Sequence, residues 1–217
     1  HHTGERALPH QLRHRATDRS DFTLRDVRNR ARPLSLYLSV PFGDQERVRP
    51  WSRLVLRQIL NACVAQKDGW TWRVLGMIDE VPGLRRLNIL SEGLNYFAGY
   101  GVRLALITPS MEELIDKYGA HHNFLEGCKV QMVFGMHDGK VAEMFSQRVG
   151  TTKGRKKRYN GRYHTSEEVR EPLLSGTALM NLKDDTTLVI VGRQKVLAKK
   201  TFYKDNPLWV ARSQMLC

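Results

Sequence analysis

From Pro33 onward the chain alternates short apolar runs with amphipathic stretches. "LSLYLSVP" reads as a strand closed by a proline. In "DQERVRPWSRLVLRQILNACVAQ", Trp51, Leu54, Val55, Ile59 and Cys63 fall near helical spacing, which predicts a helix. "WRVLGMI" is a second strand, and "NILSEGLNYFAGYG" a helix that ends at glycine. "VRLALIT" is a third strand, and "MEELIDKYG" a helix closed by Gly119. "KVQMVFG" is a fourth strand, and "DGKVAEMFSQRVG" a helix closed by Gly150. A basic loop to about Val169 follows, then a short helix, "SGTALMNL", and two paired strands, "TTLVIVG" and "KVLAKKTFY". Strands alternating with helices imply a mostly parallel sheet with right-handed crossovers. Nearly continuous apolar strands predict burial on both faces. The expected class is therefore α/β, with a C-terminal β-hairpin.

Residues 1–32 break this pattern. They carry eight Arg and four His with little apolar periodicity, and are expected to be poorly ordered or helical only in pieces. The expected organisation is a basic N-terminal segment, 1–32, one α/β domain over 33–212, and a tail, 213–217. The only low-complexity patch is "TTKGRKKRYNGRYH".

Charge sharpens the picture. Net charge is +13, which points to a polyanionic partner, nucleic acid before anionic membrane. Cys63, Cys128 and Cys217 lie far apart without metal spacing, and read as reduced residues of a cytosolic compartment. No apolar run reaches the roughly 18 residues that span a bilayer, so the chain is expected to be soluble. His121, His122 and His137 lack partners at metal-ligand spacing. Phe42, Trp51, Tyr96, Phe97 and Tyr100 sit on apolar faces and are expected in the core.

The strand "WRVLGMI" runs straight into Asp79-Glu80 and then "VPG". In open parallel sheets, ligands bind beyond the carboxyl ends of the strands. An apolar strand delivering Asp-Glu is the Walker B pattern of nucleotide-hydrolysing domains. The Asp helps hold a Mg²⁺ that bridges phosphates, and the Glu orients or deprotonates the attacking water. The alternative is that Asp79 caps the following loop and Glu80 is solvated. The companion phosphate loop, G-x-x-x-x-G-K-[ST], is absent from the sequence. "GTTKGRKKR" has its glycines and lysines at the wrong spacing.

Four stretches, in order, carry a resemblance to a known family: "SDFTLRDVRNRARPLSLYLSVP", "VLGMIDEVPGLRRLNILSEGLNYFAGYGVRLALITPSMEELIDKYG", "FLEGCKVQMVFGMHDGKVAEMFSQRVGTTK" and "REPLLSGTALMNLKDDTTLVIVGRQKVLAKKTFYKD". Over roughly residues 20 to 212 the sequence resembles the C-terminal portion of type IV coupling proteins, the TraG/TraD-like conjugative DNA-transfer ATPases of type IV secretion systems. The resemblance implies a RecA-like P-loop NTPase core lacking its P-loop strand, with the P-loop and transmembrane helices upstream. It implies a homo-hexameric ring at the cytoplasmic face of the inner membrane. It implies ATP and Mg²⁺ as cofactors, Asp79 holding Mg²⁺ through water, and Glu80 placing the hydrolytic water. It further implies delivery of relaxase-bound single-stranded DNA to the secretion channel.

The chain departs from that family at one telling place. Where the family has a phosphate-sensing Gln followed by Ser or Asp, this chain has Pro109-Ser110. Proline has no side-chain amide to sense a phosphate, and Ser110 is left to substitute through its hydroxyl. Ala98 stands where some relatives have a candidate arginine finger, and Arg103 is the nearest arginine, an interface candidate or a structural residue. Lys153, Arg155, Lys156, Lys157 and Arg158, with Tyr159 and Tyr163 interleaved, form a candidate DNA-binding loop or a solvated one. Two other readings stand beside the ATPase: a non-hydrolysing DNA-binding or secretion-adaptor module, and an inactive truncated remnant.

Overall fold

The computed structural model describes residues 22–159 and 164–214, which fall into two compact units, one ending at Phe124 and one starting at Leu125.

In the first unit, a short helix, α1 (Asp26–Asn29), precedes a long one, α2 (Gln45–Val64). Strand β1 (Val74–Ile78), helix α3 (Asn88–Phe97), strand β2 (Val102–Leu106) and helix α4 (Met111–Tyr118) follow. β1 and β2 pair in parallel, with Val74 opposite Val102 and Ile78 opposite Leu106. The core gathers Leu60 and Cys63 of α2, Ile78, Leu90 and Phe97 of α3, Val102, and Leu114 and Tyr118 of α4. Phe124 packs edge-on against Tyr118, with ring centroids 4.7 Å apart. On α3, a Cβ at Gly93 would lie 2.5 Å from the Phe97 ring, so glycine is what lets that ring fold back onto its own helix.

The segment around α1 is tied to this core by a buried arginine. Arg28 is 3% exposed. Its Nη1 donates to the Cys63 carbonyl at 2.7 Å and its Nε to the Trp72 carbonyl at 3.1 Å. Its guanidinium also lies over the Trp70 ring, 4.5 Å from the centroid. Burial pushes the Arg28 pKa down, and the hydrogen bonds are what allow so costly a group inside. The guanidinium passes close to Gly101, where φ is +72° and a Cβ would sit 3.0 Å from Nη2. Only glycine meets both demands there.

The second unit holds helix α5 (Gly139–Val149), α6 (Gly176–Met180) and α7 (Pro207–Gln214). Strand β3 (Val130–Val133) pairs antiparallel with β6 (Thr186–Val191), which pairs antiparallel with β7 (Gln194–Lys199). Between α5 and α6, β4 (Thr151–Tyr159) and β5 (His164–Pro172) form a separate two-stranded ribbon. Ala142, Phe145 and Val149 of α5, Leu179 of α6, and Leu188 and Ile190 of β6 are the buried apolar residues of these elements. Ser146 Oγ donates to the Leu174 carbonyl at 2.7 Å, and Thr187 Oγ1 to the Val133 carbonyl at 2.9 Å.

The α/β class, the C-terminal hairpin and nearly every helix are as the pattern predicts. Five expectations need correction. "LSLYLSVP" forms no strand; its Leu36, Tyr37 and Leu38 are exposed, because a β-competent segment needs a ladder partner and none pairs with it among the described residues. β3 runs antiparallel to β6 rather than joining the parallel pair, since strand direction depends on distant chain reversals and not on local composition. β1 is not covered on both faces: Leu75 and Met77 are 63% and 69% exposed, while the alternate Ile78 is buried. The basic loop is the β4–β5 ribbon. Of the aromatic residues expected inside, Phe97 is buried, whereas Phe42, Trp51 and Tyr96 are exposed. Cys63 is buried and Cys128 half-buried, both as free thiols, and Cys217 lies outside the described residues. Among the described residues, no helix is long and apolar enough to cross a membrane.

Arg28→Met should strand two buried carbonyls. We expect urea denaturation to show a loss of about 2 kcal/mol or more.

Candidate functional site

β1 delivers Asp79 and Glu80 at its carboxyl end because the chain turns sharply there. The ladder continues one step past β1: Ile107 N donates to the Ile78 carbonyl at 2.9 Å, and Val81 N to the Ile107 carbonyl at 3.0 Å. Between them Glu80 adopts the left-handed conformation, φ 53° and ψ 56°. That is a costly conformation for a residue with a side chain. It is held because Val81 and Pro82 are buried directly after it, opening a 3₁₀ turn, Val81–Leu84. This turn is what the "VPG" after the carboxylates encodes.

The loop is clamped on two sides. From α2, Arg49 Nε donates to the Gly83 carbonyl at 2.9 Å, and Arg53 donates to the Leu84 carbonyl. Glu46 holds the other face of the Arg49 guanidinium and also pairs with Arg85 at 3.6 Å. Arg85 is a second residue with positive φ, 54°. From α4, the Tyr118 hydroxyl donates to the Arg85 carbonyl at 3.2 Å and accepts from Leu87 N at 3.3 Å. Burial pushes the Tyr118 pKa up, so the phenol stays protonated and able to donate. Sequence reasoning did not pick out Arg49, Arg53 or Tyr118. The only signal was their place on predicted helices near a carboxylate loop.

Within that frame the two carboxylates are exposed and accept no hydrogen bond or ion pair from a side chain among the described residues. They line a cleft of about 430 Å³, whose other walls include Gln45, Arg49 and Ser52 of α2 and the segment Leu38–Val40. Among the described residues no three His, Cys, Asp or Glu side chains cluster to hold a metal. Two exposed carboxylates are hard oxygen donors, the type that Mg²⁺ takes alongside water and phosphate oxygens. The residues fit the metal-and-water half of nucleotide hydrolysis. They do not build the phosphate half, since the cleft's one guanidinium, Arg49, is engaged by Gly83 and Glu46.

The Pro109-Ser110 pair leaves β2 at the same end of the sheet as the carboxylates, because Ile78 stands opposite Leu106. Ser110 caps α4: its Oγ accepts from Glu112 N at 3.0 Å and Glu113 N at 3.3 Å. Its lone pairs are thus taken up by the helix, while its O–H keeps its capacity to donate. Arg103 pairs in register with Leu75, near the opposite end of the two strands, and its Nη1 donates to the Ala98 carbonyl at 3.3 Å. The pairs 79–80 and 109–110 thus follow the strands at one end of the ladder, and Arg103 lies near the other.

The basic patch lies on β4 in the second unit. Register sets Arg155 opposite Glu168 and Lys156 opposite Glu167, while Lys157 and Arg158 face Ser166 and Thr165. Lys153 reaches Glu168 across the ladder at 3.6 Å. Lys153 is therefore matched by β5. Tyr163 lies outside the described residues.

Fold and site together define an α/β domain in which one parallel strand ends in a carboxylate pair. The profile of the family described as "Type IV secretory system Conjugative DNA transfer" matches residues 8–215, and the chain belongs to that family. It is 26% identical to the conjugal transfer protein TraG of Escherichia coli, over 92% of this chain and 37% of TraG. It is 28% identical to VirD4 of Agrobacterium fabrum (strain C58 / ATCC 33970), over 89% of this chain and 30% of VirD4. The chain thus spans about a third of the length of these curated relatives. Among solved structures, it is similar to the conjugative coupling protein TrwB in a sulphate complex, with TM-score 0.70 at 21% identity, covering 84% of this chain and 44% of that one. TrwB in complex with ADP and Mg²⁺ gives TM-score 0.69 at 21% identity, covering 87% and 45%. The chain has the RecA-like α/β fold of these proteins, and corresponds to a portion of a type IV coupling protein.

Ser110→Ala should remove the α4 cap. We expect thermal denaturation to report about 1 kcal/mol of lost stability.

Proposed function

We propose that this chain is the Walker B-containing portion of a conjugative coupling ATPase that delivers relaxase-bound single-stranded DNA to a type IV secretion channel. The observation that carries the reading is the pair Asp79-Glu80, exposed and unpaired among the described residues, on a loop held rigid from both sides. Asp79 holds Mg²⁺ through water, and Glu80 positions the hydrolytic water. Nucleotide is completed by a phosphate loop carried elsewhere in the full protein. That protein works as a homo-hexamer at the inner membrane, and Arg103, at the far end of β2, is a candidate for a subunit interface. Family membership and the nucleotide-bound TrwB neighbours support this reading.

Pro109, the absence of a phosphate loop from this sequence and the net charge of +13 favour a second reading, a DNA-binding or secretion-adaptor module that does not hydrolyse nucleotide. It predicts affinity for single-stranded DNA that falls steeply with salt and ignores nucleotide.

The deciding experiment is to read the in-frame coding region upstream of His1 and assay its product. A G-x-x-x-x-G-K-[ST] loop there, with Mg²⁺-dependent ATP turnover, establishes the ATPase. A stop codon, or a full product without turnover, overturns it. In the full product, Glu80→Gln should lower ATP turnover by about 10²- to 10⁴-fold, with nucleotide affinity retained in calorimetry. For the 217-residue chain by itself, calorimetry should show no micromolar ATP binding.

A further inference from the structure

The first unit holds a second concavity besides the one at the carboxylates. Larger than the cleft of about 430 Å³ beside Asp79-Glu80, it is a groove of about 840 Å³ between α2 and α3. That is toward the upper end of the size range of ligand sites, about 300–1,000 Å³. One wall is a single stripe of α2, Arg53, Arg57 and Asn61, spaced four residues apart and so stacked on one face. The other wall is the facing stripe of α3, Asn88, Glu92 and Tyr96, again four apart. Arg86 closes one end, and Tyr100 also lines the groove.

Three guanidiniums against one carboxylate make this a cationic groove. Two of the three are anchored without being used up. Arg53 is held by the Leu84 carbonyl, and Arg86 Nε donates to Asn88 Oδ1 at 3.1 Å. A guanidinium has five N–H donors, so each keeps donors for an anion. Arg57 is exposed and makes no hydrogen bond or ion pair among the described residues. Tyr96 is 68% exposed despite its apolar ring. Guanidiniums with a bare aromatic ring and side-chain amides in one groove suit phosphates, a base face and base edges at once. An acidic peptide would use the arginines but would leave the tyrosine ring idle. The chain's own first 21 residues are an unsuitable occupant on charge, with Arg6, Arg13, Arg15 and Arg19 against Glu5, Asp18 and Asp21.

We infer that the α2–α3 groove is a binding site for single-stranded nucleic acid, with Arg53, Arg57 and Arg86 on the phosphates and Tyr96 stacked on a base. The inference rests on the DNA-transfer reading above and gives it a contact surface separate from both the Asp79-Glu80 cleft and the β4 strand.

The test is fluorescence anisotropy of a labelled oligothymidylate against the 217-residue chain over a series of salt concentrations. Tyr96→Ala is expected to weaken binding roughly tenfold, and Tyr96→Trp to restore it, because stacking needs a ring and not a hydroxyl. Arg57→Glu is expected to weaken binding and to reduce the salt slope by about 0.7 for each phosphate it leaves unneutralised. Glu92→Gln is expected to tighten binding, a gain that misfolding does not mimic. Circular dichroism melts confirm that the variants fold. If the parent binds while Tyr96→Ala and Arg57→Glu stay within twofold of it, and Lys153 or Arg155 variants lose binding instead, the groove is not the site and the DNA reading survives. If the parent shows no salt-dependent binding, the DNA-binding role of this chain and the groove both fall. Equal competition by polyglutamate, with no effect of Tyr96→Ala, assigns the groove to an acidic protein partner and overturns the inference.

Discussion

The parallel ladder between β1 and β2, and its extension by one more pair of hydrogen bonds, is the constraint on which the rest of the site depends. Ile107 bonds back to Ile78 and forward to Val81, so the residues between, Asp79 and Glu80, are extruded from the sheet edge. Burial of Val81 and Pro82 stabilises this, and the left-handed Glu80 is the strain it offsets. Arg49, Arg53 and Tyr118 then satisfy loop carbonyls that the turn leaves without ladder partners. A carboxylate pair on a floppy loop would simply be solvated. On a turn locked from two helices it is pre-positioned, which is what metal and water chemistry requires.

Charge is distributed less simply than its total suggests. The densest basic run, on β4, is paired in register with β5, and its Lys153 reaches Glu168 there. The sparser arginines of α2 and Arg86 converge on a groove with one opposing carboxylate. Convergence in space, not density in sequence, decides where a polyanion is held. The buried Arg28 is withdrawn from solvent, with its Nε and Nη1 bonded to main-chain carbonyls.

The first unit leaves apolar surface uncovered. Leu75 and Met77 project from one face of β1, and Leu36, Tyr37 and Leu38 run as unpaired chain with strand-like composition. Parallel sheets are ordinarily covered on both faces, and two strands are few for one. The chain spans about a third of the length of its curated relatives.

Local physics in the sequence determined much of this protein. Periodicity marked α2 through α5, glycines marked the helix ends at Gly119 and Gly150, and an apolar strand running into Asp79-Glu80 marked the candidate site, because each of these is a short-range property of the chain. The positions of Asp79-Glu80 and Pro109-Ser110 just beyond β1 and β2 were legible because strand ends can be read from composition. Tertiary structure decided the rest. It turned β3 antiparallel, paired a supposed loop into β4–β5, left "LSLYLSVP" without a partner, committed Ser110 to a cap, and exposed Tyr96 on a helix face that reads as core. The physical reason is common to all of these. Pairing, capping and exposure depend on what a residue meets across the fold, and those neighbours lie tens of residues away along the chain.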